Sequence, residues 1–303
     1  MEPLWAERPW AERRSRLVDT ISPLSPDVIG FQEALASQIV DLEELLGSHW
    51  GWYGIGRDDG QYAGEYSPIF YNSHRFEVLR SQTKWLSLQP DNPGSIGWDA
   101  AQTRIATFLT LRDRPSGHCI HFINTHLDDQ GKRARAESSA LIRVEAKKWV
   151  DSWEEDPEAG MILLGDLNSP ENEQAYKTLI SLHPLPSKIP SLCFQDTYQH
   201  LQARDQRRPV GGMRIPQSAP AGPRGTFTGF SAPGREEDER IDMVFLGLRG
   251  IASGQEEDGE WGSLVPVKLV VLDNLIAGRG DAVGWTGRWS DHRAVMVQLA
   301  TVA

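Results

Sequence analysis

Five short polar clusters each stand where an apolar, strand-like run stops, so a chain built this way must fold with the ends of several strands meeting at one place. The clusters are Asp27-Val-Ile-Gly-Phe-Gln-Glu33, Phe122-Ile-Asn-Thr-His126, Ile162-Leu-Leu-Gly-Asp-Leu-Asn168, Arg240-Ile-Asp-Met-Val-Phe245 and Trp289-Ser-Asp-His292. Together they bring carboxylates, amides and two histidines to the mouths of buried strands. Because they run nearly from end to end of the chain and must converge, a single domain over residues 1–303 is expected.

Helical spacing of apolar residues predicts helices over 10–22, 36–46, 133–153 and 171–181. Strands are predicted at 28–31, 50–55, 68–71, 105–111, 119–125, 161–164, 240–246, 265–272 and 294–299. Several of these runs are apolar without alternation, which points to mixed sheets covered on both faces, a layered α/β sandwich. The stretches 56–67, 89–100, 203–225 and 231–239 are rich in Gly, Pro and charge and read as surface loops that shape a site. Within them, the acidic run Glu236-Glu-Asp-Glu239 reads as solvated loop rather than metal site.

Composition narrows the partners. No apolar run approaches the roughly 18–20 residues that span a bilayer. The start, Met1-Glu-Pro-Leu-Trp-Ala-Glu-Arg, lacks the apolar core of a signal peptide, so a cytoplasmic protein is expected. Cys119 and Cys193 make no disulfide framework or zinc spacing, and Cys119 reads as a small buried hydrophobe. A formal net charge of -11 opposes a broad grip on a polyphosphate backbone, which favours a small phosphorylated substrate over nucleic acid. The densest basic stretch, Lys132, Arg133, Arg135, Arg143, Lys147 and Lys148, falls on a predicted helix with Glu137 and Glu145 interleaved, as on a solvated helix face. Trp85, Trp98, Trp285 and Trp289 lie near the loops, where they suit either an apolar substrate part or core packing.

In Asn124-Thr-His126 and Asp166-Leu-Asn168 the polar residues are two apart, so in a strand each pair faces one side. A carboxylate beside an amide supplies one group to take a proton or orient water and another to hold a phosphoryl oxygen. A polar turn before Ser169-Pro170 would use the same two residues. Glu33 sets a hard oxygen ligand at a strand end, suited to Mg²⁺ held by one or two carboxylates, or to capping the following helix. Asp242 sits in an apolar segment and needs a partner, and a histidine such as His292 would provide one.

In this combination and order, Gln32-Glu33, Asn124-Thr-His126, Gly165-Asp166-Leu-Asn168, Arg240-Ile-Asp242 and Ser290-Asp291-His292 resemble the endonuclease/exonuclease/phosphatase superfamily of deoxyribonuclease I-like phosphoesterases. Gly64-Glu-Tyr-Ser-Pro-Ile-Phe-Tyr71 and Arg104-Ile-Ala-Thr-Phe108 look like a poorly characterised group of single-domain members. The resemblance implies a four-layer sandwich of two mixed β-sheets flanked by helices. It also implies Mg²⁺- or Mn²⁺-dependent hydrolysis of a phosphoester by an activated water. A non-hydrolytic phosphate-binding member and a biosynthetic enzyme using the same site are the alternatives.

By the same resemblance, Glu33 binds the metal with Asp291 near it, and Asp166 and Asn168 activate and position the water. His292, held by Asp242, and His126 stabilise charge on the phosphoryl group. Asn124 shapes the floor, Asp128 is a second-site candidate, and Glu65 and Arg104 are candidates for substrate contact. Members of the family begin with a core strand ending in an Asn that serves the metal, and the matching stretch here starts past that point. An open ladder and a thinner core are therefore expected.

Overall fold

The computed structural model describes residues 5–203, 216–237, 239–248, 264–276 and 286–301. In chain order the elements are α1 (Trp10–Ile21), a 3-10 turn (Ser22–Leu24), β1 (Val28–Gly30), α2 (Ala36–Leu46), β2 (Trp50–Tyr53), β3 (Ile69–Asn72), β4 (Phe76–Trp85), β5 (Ile105–Asp113) and β6 (Cys119–His126). There follow α3 (Lys132–Asp151), β7 (Gly160–Asp166), α4 (Gln174–Ile180), β8 (Cys193–Asp196), α5 (Thr197–Gln202), β9 (Asp242–Leu248), β10 (Leu264–Leu272), β11 (Leu275–Ile276), β12 (Gly287–Arg288) and β13 (Ala294–Thr301). Among the described residues no helix is long and apolar enough to cross a membrane.

A six-stranded sheet in the order β4-β5-β6-β7-β9-β8 forms the centre, with β6 and β7 parallel and the other pairs antiparallel. Its middle strands are apolar on both faces because each face has its own core. Phe108, Ile123, Leu163 and Phe245 enter one core with α3 and α4. Their chain neighbours Leu109, Phe122, Ile162 and Leu246 enter the other, shared with Ile69 of β3 and Leu264 of β10. Successive side chains on a strand point to opposite faces, so one residue of offset decides the core. The same rule sends Phe70, next to Ile69, to a third core with Val18 of α1 and Ile39, Leu42 and Leu46 of α2. The layers are thus helices, central sheet, smaller sheets and helices, a mixed α/β fold as expected.

The second sheet layer differs from the expected mixed sheet. Among the described residues it is antiparallel and in two pieces, β1-β3-β2 and β10-β13. There, β1 and β13 each have a ladder partner on one side only. Gly30 of β1 lies against Leu164 and Asn124, and β13 packs over β9. Leu164 and Val244, in the two middle strands beneath, remain half-buried while Ile162 and Leu246 are buried. Along that strip the second layer covers the middle strands less completely. β4 escapes the sequence pattern because it is a polar edge strand, and β8 and α5 escape it because they are short.

Gly165 shows how tightly the middle strands pass. Its φ is 148°, and an added Cβ would sit 2.0 Å from the carbonyl oxygen of Thr125 in β6. Substituting Gly165→Ala is expected to destabilise the protein by about 1–3 kcal/mol in urea unfolding. At Gly117, where an added carbon meets nothing within 4 Å, the same substitution is expected to have a smaller effect.

Candidate active site

The ladder itself assembles the first row of side chains. Register pairs His126 of β6 with Asp166 of β7, and Asp166 with Asp242 of β9. Three ionisable residues from separate parts of the chain therefore stand side by side at one edge of the sheet. His292 joins them through a bridge between its backbone and Phe227. Asp166, Asp242 and His292 each place a potential ligand atom within 4.8 Å of the others, a cluster able to hold a divalent cation.

His292 Nδ1 is 2.8 Å from Asp242 Oδ2, and its Nε2 is 3.8 Å from Asp166 Oδ2. Burial works against charge on this imidazole, but Asp242, Asp166 and Asp291 more than offset it and hold its pKa up to about 10. The same surroundings push Asp166 up to about 7, through burial first and the charge of Asp242 next, with His292 and the Asn168 amide opposing. Backbone anchors keep the pair in place. Thr226 Oγ1 accepts from the amides of Ile241 and Asp242, Ser290 Oγ accepts from the amide of His292, and buried Asn274 donates to the carbonyls of Ser290 and His292.

His126 is the opposite case. It is 5% exposed, with Arg104 Nη1 3.0 Å from Nδ1 and Asn168 Nδ2 2.9 Å from Nε2. Burial, then the positive charges of Arg104, His292 and Arg57, lower its pKa well below the usual imidazole value. Both ring nitrogens thus face N–H donors, and Nε2 also lies 3.6 Å from Asp166 and 3.8 Å from Glu33. Asn168 holds its left-handed backbone, φ 46°, by donating its amide N–H to Asp166 Oδ1 at 2.7 Å and its side chain to the Leu127 carbonyl at 2.9 Å. Asn is among the few non-glycine residues that accept that conformation readily.

Glu33 also has a positive φ, 62°. The turn that carries it is pinned from below by Asn124, which is fully buried. Its side chain donates to the carbonyls of Phe31 and Pro68 and accepts from Gln32. Among the described residues the Glu33 carboxylate has no hydrogen-bond partner, and it is 58% exposed. Loss of hydration, then the negative charges of Asp291 and Glu65, raise its pKa. Unneutralised, partly open carboxylate oxygens of this kind fit a hard divalent cation.

The remaining candidates divide. Asp128, 2% exposed, accepts from the amides of Ala101, Gln102, Gln130 and Gly131 and so organises two loops. Arg104 is 5% exposed and ties His126 to Asp128 and Asp129. Glu65 lines a small hollow beside His126 and pairs with Arg57. Arg57, Thr226 and Asn274 have no motif to announce them, although Arg57 falls in a loop stretch expected to shape the site. Trp85 and Trp289 are buried in packing, Trp98 is half-buried, and Trp285 lies outside the described residues. Glu236 is not solvated: it is drawn in between Arg288 and Arg293, while Asp238 lies outside the described residues.

Comparison with known proteins identifies the family. The model of the Endonuclease/Exonuclease/phosphatase family matches residues 5–292, and the chain belongs to that family. Among solved structures, the endonuclease/exonuclease/phosphatase of Bacteroides vulgatus is 28% identical, with TM-score 0.72 over 97% of this chain and 92% of that one. The mannosyl-6-phosphatase of Bacteroides thetaiotaomicron is 26% identical, with TM-score 0.76 over 96% and 91%. The human Nocturnin catalytic domain with bound sulfate, 15% identical, shares the fold at TM-score 0.60 over 97% and 88%. No curated protein sequence matches the chain.

The charged His292 has a consequence for stability. Its folded pKa, about 10, lies above the ordinary imidazole value of 6.5. The stabilisation is therefore complete below 6.5 and is lost as pH rises through about 10. In EDTA, the unfolding free energy is expected to fall between these limits, and His292→Gln is expected to flatten the slope in urea titrations at a series of pH values.

Proposed function

We propose that this protein is a divalent-metal-dependent phosphoesterase acting on a small phosphorylated substrate, with Mg²⁺ or Mn²⁺ as its cation and residues 1–303 as one domain. The observation that carries this reading is the convergence of a charged His292–Asp242 pair, a neutral His126 and Asp166 with Asn168 on one spot beside Glu33. In the proposed reaction a water oxygen bonds to phosphorus in line as the bond from phosphorus to the alcohol oxygen breaks. Asp166 takes the water's proton, and the departing oxygen takes one from solvent. A carboxyl held near neutrality suits a general base at ordinary pH.

Asn168 orients the attacking water, the neutral imidazole of His126 lines the site beside it, and protonated His292 stabilises the charge that develops on the phosphoryl oxygens. Asp242 keeps His292 charged and correctly turned. Glu33 and Asp291 would hold the cation, which when bound supplies positive charge to the phosphoryl oxygens. They are better placed for that than the cluster of Asp166, Asp242 and His292, where the imidazole proton already engages Asp242.

Two further features support a small substrate. Arg135 and Arg143, from the densest basic stretch, are buried and bonded to internal carbonyls, so that helix presents no continuous basic stripe. The similarity to a mannosyl-6-phosphatase over nearly the whole chain points the same way. Asp166→Ala and His292→Ala are each expected to lower kcat by on the order of 10²-fold or more, with the fold retained by circular dichroism. Undiminished turnover in both variants would overturn the reading.

A further inference from the structure

We infer that Phe227 is a positioning residue for the proposed reaction: its ring packs on the His292 imidazole and fixes the direction in which Nε2 points. The role rests on the phosphoesterase reading, in which His292 stabilises charge on the phosphoryl oxygens, and adds the group that sets the angle of that imidazole.

The backbone dictates the contact. Phe227 and His292 stand opposite each other in an antiparallel bridge. Two bonds close the bridge on either side of the pair: the Thr228 amide donates to the Asp291 carbonyl at 2.6 Å, and the Arg293 amide donates to the Thr226 carbonyl at 2.7 Å. Bonds at the flanking residues make Phe227 and His292 a non-hydrogen-bonded pair, the arrangement in which opposite side chains come closest. The two rings accordingly lie with centroids 5.1 Å apart and planes at 58°. Phe227 is half-buried there.

Its chain neighbours hold the rest of the group. Thr226 Oγ1 accepts from the Asp242 amide at 3.0 Å, and Thr228 Oγ1 donates to the Asp291 carbonyl at 2.6 Å and accepts from Asn274 at 2.9 Å. Both threonines are buried. They reach backbone atoms, whereas Phe227 meets the imidazole itself. That ring needs a second restraint. Asp242 Oδ2 holds Nδ1 at 2.8 Å, which fixes one edge, and the ring can still tilt about that contact. Nε2, on the far edge, moves most in such a tilt, and it is the nitrogen that lies 3.8 Å from Asp166 Oδ2. An aromatic neighbour at this separation attracts the ring and blocks the tilt on one side. Phenylalanine carries no polar atom, so it steadies the imidazole without competing for either nitrogen.

The test is a double-mutant cycle on phosphate release, measured with Mg²⁺ on a hexose 6-phosphate, a nucleoside monophosphate and p-nitrophenyl phosphate and followed on the ester turned over fastest. Phe227→Leu and Phe227→Tyr are each made with His292 and with His292→Ala, and melting curves establish that the variants are folded. Phe227→Leu is expected to lower kcat about tenfold with KM changed less than about twofold, because the imidazole acts in the transition state. Phe227→Tyr, which keeps the ring, is expected to stay within about threefold of wild type. In the His292→Ala background, Phe227→Leu is expected to cost less than about twofold, since the group it positions is gone. Phe227→Met gives the same comparison if Phe227→Leu does not fold. A loss that persists without His292, a loss carried by KM, or an unchanged kcat in Phe227→Leu would each overturn the positioning role while leaving the phosphoesterase standing. Undiminished turnover in His292→Ala, or no release from any of the three esters, would overturn both.

Discussion

Because β6, β7 and β9 share one hydrogen-bonded ladder, His126, Asp166 and Asp242 arrive side by side from distant parts of the chain. A slip of one residue in any of the three strands would turn its polar side chain to the opposite face. Two apolar cores, one on each face, set that register, since Ile162 and Leu163 belong to different cores. The site is thus a by-product of packing. Close passage of β6 and β7 at Gly165 and the buried Asn124 under the Glu33 turn carry the same precision outward to the loops.

Electrostatics then separates two histidines that the sequence makes look alike. His292 keeps its proton because carboxylates surround it, and His126 loses its own because burial, and then the positive charges around it, disfavour the charged ring. One offers a cation and the other a neutral imidazole to the same small volume. Asp166 lies between them with a carboxyl raised toward neutrality, so the three groups present different proton states at one pH. Groups whose surroundings drive their pKa values apart are the usual mark of an acid and base division of labour.

The candidate site residues are legible in the sequence because they stand at or beside the ends of buried strands, where a polar side chain needs a functional or bonding reason to exist. Asp242 is the clearest case: its apolar setting required a partner, and His292 lies 2.8 Å away. Roles of support were less legible. The resemblance implies a floor role for Asn124, a second-site role for Asp128 and substrate contact for Arg104, and burial turns their polar atoms to backbone groups and to His126. Thr226, Asn274 and Arg57 gave no signal because hydroxyls, amides and guanidiniums in loops have many uses, and only the fold brings them under the site. Edge strand β4 stayed hidden for a related reason: its partner lies on one side only, and its pattern is correspondingly polar.

In the proposed reaction water attacks phosphorus and a bound divalent cation is required. Hydrolysis of a phosphate monoester in ¹⁸O-labelled water, followed by mass spectrometry of both products with and without EDTA, tests both parts. One labelled oxygen is expected in the released phosphate and none in the alcohol, with loss of turnover in EDTA that Mg²⁺ or Mn²⁺ restores. Label in the alcohol, or full turnover in EDTA, would contradict it.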